Sequence, residues 1–138
     1  MSRVCIDANV PIFALGGESP HRVACLNLLE RAARGEVVLH ASVEMVQEVL
    51  FHRLRRGDAA DAVAQSRLVA ASCVLHPFDG EVLQVTIELV ERSGMRGRDA
   101  VHAATALEQG FDEIVTVDSD FDRCPGLARV DPGSVAVR

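Results

Sequence analysis

Lysine is missing from this chain. All 14 basic residues are Arg, set against 20 acidic ones for a net charge of −6. Without Lys there is no P-loop, and no Gly-rich phosphate loop is present either. The acidity argues against a protein that coats nucleic acid by bulk electrostatics. Trp and Tyr are also absent, and the only aromatics are five Phe, so the core has to be aliphatic. No apolar run approaches the roughly 20 residues that a membrane span requires. The opening Val4-Cys5-Ile6 is broken by Asp7 and lacks the basic start and long apolar middle of a signal peptide. A soluble cytoplasmic protein is the expectation. Cys5, Cys25, Cys73 and Cys124 form no Cys-x-x-Cys pair, which leaves zinc knuckles and redox motifs without support. They are expected to be small buried apolar residues in a reducing compartment. His21, His40, His52 and His76 show no zinc-site spacing.

What is there is ordinary globular composition, 49% hydrophobic over 138 residues, enough for one domain with one substantial core. Short apolar runs alternate with longer amphipathic stretches, the pattern of a parallel α/β sheet. Strands are expected at Val4–Ile6, Val37–Ala41, Cys73–His76 and Ile114–Val117, with a short fifth at Ala128–Val130. Helices are expected over Pro20–Arg34, from Ser42 to about Arg56, and over Asp58–Ala71, Phe78–Ser93 and Arg98–Gln109. Ser42 is placed to cap the second of these. Gly35, Gly94 and Gly110 stand where helices stop. No repeat, low-complexity tract or linker divides the chain, so residues 1–138 read as a single domain.

In open α/β sheets functional groups gather beyond the carboxyl ends of the strands. Asp7 follows the first strand and Asp118 the fourth. Asp99 begins a helix, where the backbone N–H groups and the dipole favour negative charge. Glu48 lies on the second helix among Met45, Val49 and Phe51. Carboxylates brought together repel, and one or more takes up a proton unless a cation intervenes. A hard divalent ion with oxygen ligands resolves that repulsion. It also acidifies a water and neutralises charge on a phosphoryl oxygen. Such chemistry needs no Ser, Cys or His nucleophile, and none stands in a recognisable setting here.

Four blocks carry a resemblance. They are Val4-Cys5-Ile6-Asp7-Ala8-Asn9, then Ser42-Val43-Glu44-Met45-Val46-Gln47-Glu48-Val49-Leu50, then Arg98-Asp99-Ala100-Val101-His102-Ala103-Ala104-Thr105-Ala106, and last Ile114-Val115-Thr116-Val117-Asp118-Ser119-Asp120-Phe121-Asp122. In this order they resemble the PIN-domain ribonucleases, in particular the VapC-like toxins of bacterial toxin–antitoxin pairs. No single block is specific; the ordered set is. The resemblance implies a three-layer α/β/α sandwich around a mainly parallel sheet of four or five strands. It implies Asp7, Glu48, Asp99 and Asp118 as catalytic and metal-binding residues, with Asp7 and Asp99 as the principal ligands and Asn9, Thr116 and Asp120 as helpers. It further implies Mg²⁺ or Mn²⁺, endonucleolytic cleavage of RNA by metal-activated water, a small cognate antitoxin and a homodimer.

Blander readings stand beside these. Asp7 and Asn9 also suit a simple turn, and Asp99 alone reads as a helix-start charge. Glu44 and Glu48 share a helix face, so periodicity cannot choose between them; the resemblance selects Glu48 and leaves Glu44 as a surface acid. Asp118, Asp120 and Asp122 alternate as in a calcium loop, but the sixth position is Arg123 and the twelfth Arg129, which fails that motif. Asp122 is expected in solvent. His102 is expected to be a packed, hydrogen-bonded residue. Arg53, Arg55 and Arg56 form one basic knot and Arg92, Arg96 and Arg98 another; each suits either a helix end or a guide for phosphates. With most Phe residues needed in the core, no aromatic platform for single-stranded RNA is expected, which leaves recognition to backbone contacts, RNA shape and a few Arg.

Four rivals compete with a toxin nuclease. An aspartyl phosphatase would place its Asp pair early, whereas Val117-Asp118-Ser119-Asp120 comes near the end. A receiver domain needs a Lys. A housekeeping RNA-processing nuclease, or a non-catalytic binding module of the same fold, keeps the architecture and differs in use.

Overall fold

The computed structural model describes residues 2–135. Strand β1 (Ser2–Cys5) leads into helix α1 (Asn9–Leu15) and helix α2 (Arg22–Ala33). Strand β2 (Val37–Ser42) is followed by α3 (Val43–Arg56) and α4 (Ala59–Ala71), then strand β3 (Cys73–His76) by α5 (Gly80–Ser93) and α6 (Gly97–Glu108). Strand β4 (Glu113–Val115), a 3-10 turn (Ser119–Arg123), strand β5 (Ala128–Val130) and a second 3-10 turn (Pro132–Ser134) complete the described chain.

All strand pairs are parallel: β1 with β2, β2 with β3, and β4 with β5. The two groups join through a single bridge, Ile6 to Val115, reinforced by the Asp7 N–H donating to the Val115 carbonyl at 3.0 Å. The spatial order is therefore β3-β2-β1-β4-β5. The chain winds outward from β1 through β2 and β3, then returns to the other side of β1. A crevice opens beyond the strand ends at such a reversal of order, here between β1 and β4.

Alternation along the strands splits the interior into two cores. Ile6, Leu39, Ala41 and Val115 pack with residues of α1 to α4 such as Val10, Leu28, Met45 and Val49. Cys5 and Ile114 point to the other face, against Val82 and Leu89 of α5, the alanines of α6, and Phe121. This is the three-layer arrangement expected from the sequence. The thiols are free, and burial pushes Cys5 up to about 12 and Cys25 and Cys73 up to about 11, so they stay protonated as apolar filler.

Local chemistry sets most element boundaries. The Ser42 hydroxyl accepts from the Glu44 N–H at 3.1 Å, Asp58 from Ala60 at 2.9 Å and Asp79 from Val82 at 2.9 Å, each capping a helix. Gly94 ends α5 with φ +69, a conformation that a side chain disfavours. Two segments depart from expectation. Residues after Asp7 form α1 rather than a turn, with Pro11 in its first turn, where a missing N–H leaves no bond unmade. The residues after Asp118 form a 3-10 turn, with the Asp118 carboxylate accepting from the Asp120 N–H at 2.9 Å. Smaller differences are shifts of one or two residues at the ends of β1, β2, β4, α2, α4, α5 and α6.

Candidate metal and active centre

The crevice between β1 and β4 is organised around one hydroxyl. Thr116, which lies just beyond β4 and is fully buried, donates its Oγ1 hydrogen to Asp7 Oδ2 at 3.0 Å. The same oxygen accepts from Asn9 Nδ2 at 2.8 Å and from the Asp118 N–H at 3.0 Å. A threonine hydroxyl has one hydrogen to give and two lone pairs to fill, so its capacity is used completely. Asn9 closes the loop, its Oδ1 accepting from the Val117 N–H at 3.4 Å. The segments after β1 and β4 are thereby locked to each other where the ladder itself supplies a single bridge. Two of the three helpers read from the sequence, Asn9 and Thr116, thus join the Asp7 carboxylate to the Asp118 backbone through hydrogen bonds.

Asp7 is 4% exposed. The Ala8 N–H donates to its Oδ1 at 2.8 Å, which leaves each carboxylate oxygen with a lone pair to spare. Burial pushes the acid upward from its ordinary range, and nearby Glu48 adds to the push; His102, the Ala8 N–H and Thr116 oppose it. Asp99, in the first turn of α6, is raised to about 7, by burial first and then by the charges of Asp7 and Asp118. That mutual influence places the sequence-selected acids in one electrostatic neighbourhood.

Asp99, Asp118 and Asp120 each offer a carboxylate oxygen within 4.8 Å of the others. Asp120 thus joins the group as a third member, beyond the helper role read from the sequence. The 3-10 turn explains why: it buries Phe121 completely and sends Asp122 the other way, to accept from Arg129 Nε at 3.1 Å. Glu44 remains apart, one turn before Glu48 on α3.

Glu48 reaches the site through His102. This imidazole, 1% exposed, sits on α6 with Nε2 at 3.1 Å from Glu48 Oε1 and 3.8 Å from Asp7 Oδ1. A carboxylate only accepts, so Nε2 carries the hydrogen and donates it to Glu48. Burial pulls the imidazole toward neutrality, but the Glu48 bond and the charges of Asp7 and Asp99 outweigh it, and the net shift is upward. Nδ1 is buried without a partner among the described residues. His102 is packed and hydrogen-bonded, as its Ala-rich surroundings suggest. Sequence reasoning missed that it bridges two of the acids. Its place three residues after Asp99, one turn along the same helix, was the available signal.

All-oxygen, carboxylate-rich donors suit a hard divalent ion such as Mg²⁺ or Mn²⁺ and disfavour softer metals. An acid raised to about 7 by burial and then by neighbouring acids also suits a site whose charge a cation would relieve. The residues present therefore fit such an ion.

Comparison with known proteins places this geometry in a family. Ribonuclease VapC7 of Mycobacterium tuberculosis is 28% identical over 137 residues, spanning 97% of this chain and 94% of the relative. Ribonuclease VapC13 of the same organism is 26% identical over 130 residues, spanning 92% and 98%. Among solved structures, the VapBC2 complex of Rickettsia felis bound to a promoter DNA fragment matches with a TM-score of 0.73 at 17% identity, over 94% of this chain and 98% of that one. VapC20 of M. tuberculosis, described as a toxin that cleaves the sarcin–ricin loop, matches with a TM-score of 0.71 at 16% identity, over 86% and 92%. The PIN domain model matches residues 4–127, a span that contains every acid of the crevice, and the chain belongs to the PIN-domain family.

Proposed function

We propose that this protein is a divalent-metal-dependent endoribonuclease and the toxin of a toxin–antitoxin pair. The observation that carries the reading is the convergence of Asp99, Asp118 and Asp120 within 4.8 Å, beside Asp7 and Glu48, at the one point where the strand order reverses. Relatives that bear the name ribonuclease align over nearly the whole chain, which supports the activity. Neighbours solved as toxin–antitoxin complexes support the partner. A family fold by itself does not fix a function; the preserved acid set favours catalysis over a binding module.

Asp99, Asp118 and Asp120 would hold the ion; Asp7, expected with Asp99 as a principal ligand, lies outside the group that meets within 4.8 Å and would add charge from the strand end, with Glu48 kept in place by His102. When bound, the ion would acidify a water and neutralise charge on the phosphoryl oxygens. The protein's own residues do the rest. Thr116 and Asn9 fix Asp7 and the Asp118 backbone, so the acids need not reorganise when substrate arrives. The anionic pocket also suits an Arg or Lys side chain from an inhibitory partner.

Incubation of total RNA with the purified protein, with and without EDTA, followed by mapping of the cut ends, tests the activity. Cleavage is expected with Mg²⁺ or Mn²⁺ and not with EDTA, and an Asp7→Asn/Asp99→Asn double variant is expected to fold and not to cut. Full cleavage by that variant would sink the assignment. Co-expression with any small protein found to be encoded beside this gene tests the partner; a stable complex and restored growth are expected.

A further inference from the structure

One turn out from the His102–Glu48 hydrogen bond, the same two helices meet again. Phe51 follows Glu48 by one helical turn on α3, and Arg98 precedes His102 by one turn on α6. The Arg98 guanidinium lies over the Phe51 ring, 5.9 Å from its centroid, within the range of a cation–π contact. Phe51 is 40% exposed, so the expectation that the few aromatics are consumed by the core does not hold for it.

A single exposed apolar ring is unremarkable by itself. Its company sets this one apart. Arg98 is the immediate neighbour of Asp99, so the pair stands on the rim of the acid pocket. Neither Arg98 nor Arg53, Arg55 and Arg56 at the end of α3 has a carboxylate partner among the described residues. On a chain of net charge −6, this rim offers uncompensated positive charge beside an aromatic face.

We propose that Phe51 and Arg98 form a stacking step for an unpaired nucleobase of the RNA strand held at the acid pocket. The inference rests on the nuclease reading and deepens it by naming the two residues that would seat a base of the bound strand. The Phe ring and the planar guanidinium both accept the π-face of a base, whatever its identity. A base inside a duplex hides that face, so the step selects loops and unpaired segments. Arg98, with Arg55 and Arg56 at the end of α3, suits the phosphates flanking such a base, whereas Arg53 is held by Gln65 through its Nε at 3.1 Å. A protein occupant would have to bring its own carboxylates to the same rim.

Binding, not cleavage, is the readout, which separates this inference from the nuclease assignment. In an Asp99→Asn background with Mg²⁺, a short fluorescent oligoadenylate and its abasic ribose-phosphate counterpart are titrated by anisotropy. Phe51→Ala and Phe51→Leu are expected to weaken oligoadenylate binding by roughly tenfold, the scale of one lost stacking contact. Phe51→Trp is expected to retain it, Arg98→Lys to fall between, and all variants to bind the abasic strand alike. Phe51→Leu keeps the apolar packing, so a loss there reports the ring rather than misfolding. Unchanged oligoadenylate binding by Phe51→Ala overturns the proposal, and so does an equal loss on the abasic strand. Loss of binding to any small protein found to be encoded beside this gene, with RNA binding untouched, also overturns it, by making the surface a protein dock. If the parent cuts RNA but these results fail, the stacking step alone falls; if they hold and nothing is cut, the nuclease reading alone falls.

Discussion

His102 and Glu48 join α6 to α3 through one hydrogen bond of 3.1 Å, made by an imidazole that is 1% exposed. The ring is polar anchor and core filler at once. Removing it in His102→Ala leaves a cavity beneath two carboxylates and deprives Glu48 of its donor. A loss of about 2–4 kcal/mol in urea unfolding is expected from cavity and lost bond together. His102→Gln keeps an N–H donor and most of the volume, and is expected to lose less. Added Mg²⁺ is expected to restore part of the deficit by countering the freed carboxylate charge. Equal stability of His102→Ala and the parent would remove the bridge from the account.

The Thr116 hydroxyl permits a sharper test, because a single atom can be exchanged. Thr116→Val keeps the shape and strips the partner from Asp7 Oδ2, Asn9 Nδ2 and the Asp118 N–H. The expected cost is about 2–3 kcal/mol, the sum of three modest net contributions in a buried setting. Thr116→Ser retains the hydroxyl and is expected to stay within about 1.5 kcal/mol of the parent, losing a methyl group alone. If the site works as proposed, Thr116→Val also cuts RNA more slowly, since Asp7 and Asp118 are no longer held in register.

Much of this was legible from residue order because the causes are local. Ser42 reads as a cap from its place before an apolar-periodic run, and its hydroxyl does cap α3. Asp7 and Asp118 read as strand-end acids because a strand must stop somewhere polar. The Thr116 hydroxyl that links them was not legible as a link, since it depends on β4 returning beside β1, and nothing local to either segment specifies that order. Helix α1 was hidden because seven residues containing a Pro carry too little periodicity to distinguish a helix from a turn. Asp120 could not be separated from Asp122 by alternation. The separation comes from Phe121 being buried, which fixes the turn, and from Arg129, which takes Asp122. Most of the five Phe were expected in the core, yet Phe51 on α3 is 40% exposed.

Asp99 gives a pH dependence of definite sign. Burial, and then the charges of Asp7 and Asp118, raise its carboxyl to about 7 from the ordinary 3.8, so between those values the folded state holds a proton that the unfolded chain has released. Stability from this group is therefore fully present below its unfolded value and is lost as pH rises through about 7. Burial lowers His40 and His76, which act in the opposite sense, becoming costly to the fold as they are forced to protonate at low pH. The difference between Asp99→Asn and the parent removes that background. In EDTA, the melting temperature of Asp99→Asn relative to the parent is expected to climb from pH 5 to pH 8. With excess Mg²⁺ the climb is expected to shrink, because the ion stabilises the charged parent. A flat difference in EDTA would mean that neither burial nor the neighbouring acids raise Asp99.

Metal affinity discriminates among the three alternating acids more directly than activity does. Asp118 and Asp120 share the 4.8 Å neighbourhood with Asp99, whereas Asp122 is exposed and paired with Arg129. Mn²⁺ titration followed by electron paramagnetic resonance is expected to show a loss of at least about tenfold for Asp118→Asn, since even groups that merely support a ligand act on that scale. Asp120→Asn is expected to lose affinity as well, by a smaller factor because its carboxylate is exposed and retains water as a competing partner. Asp122→Asn is expected to bind Mn²⁺ like the parent. The ordering is what matters, since any neutralised acid weakens a cation nonspecifically and salt screens that part of the effect. Repeating the titration at high ionic strength should erase small differences and keep the losses at Asp118 and Asp120. If Asp122→Asn lost as much as Asp120→Asn under those conditions, the ion would be answering to bulk negative charge and not to the triad that the 3-10 turn assembles.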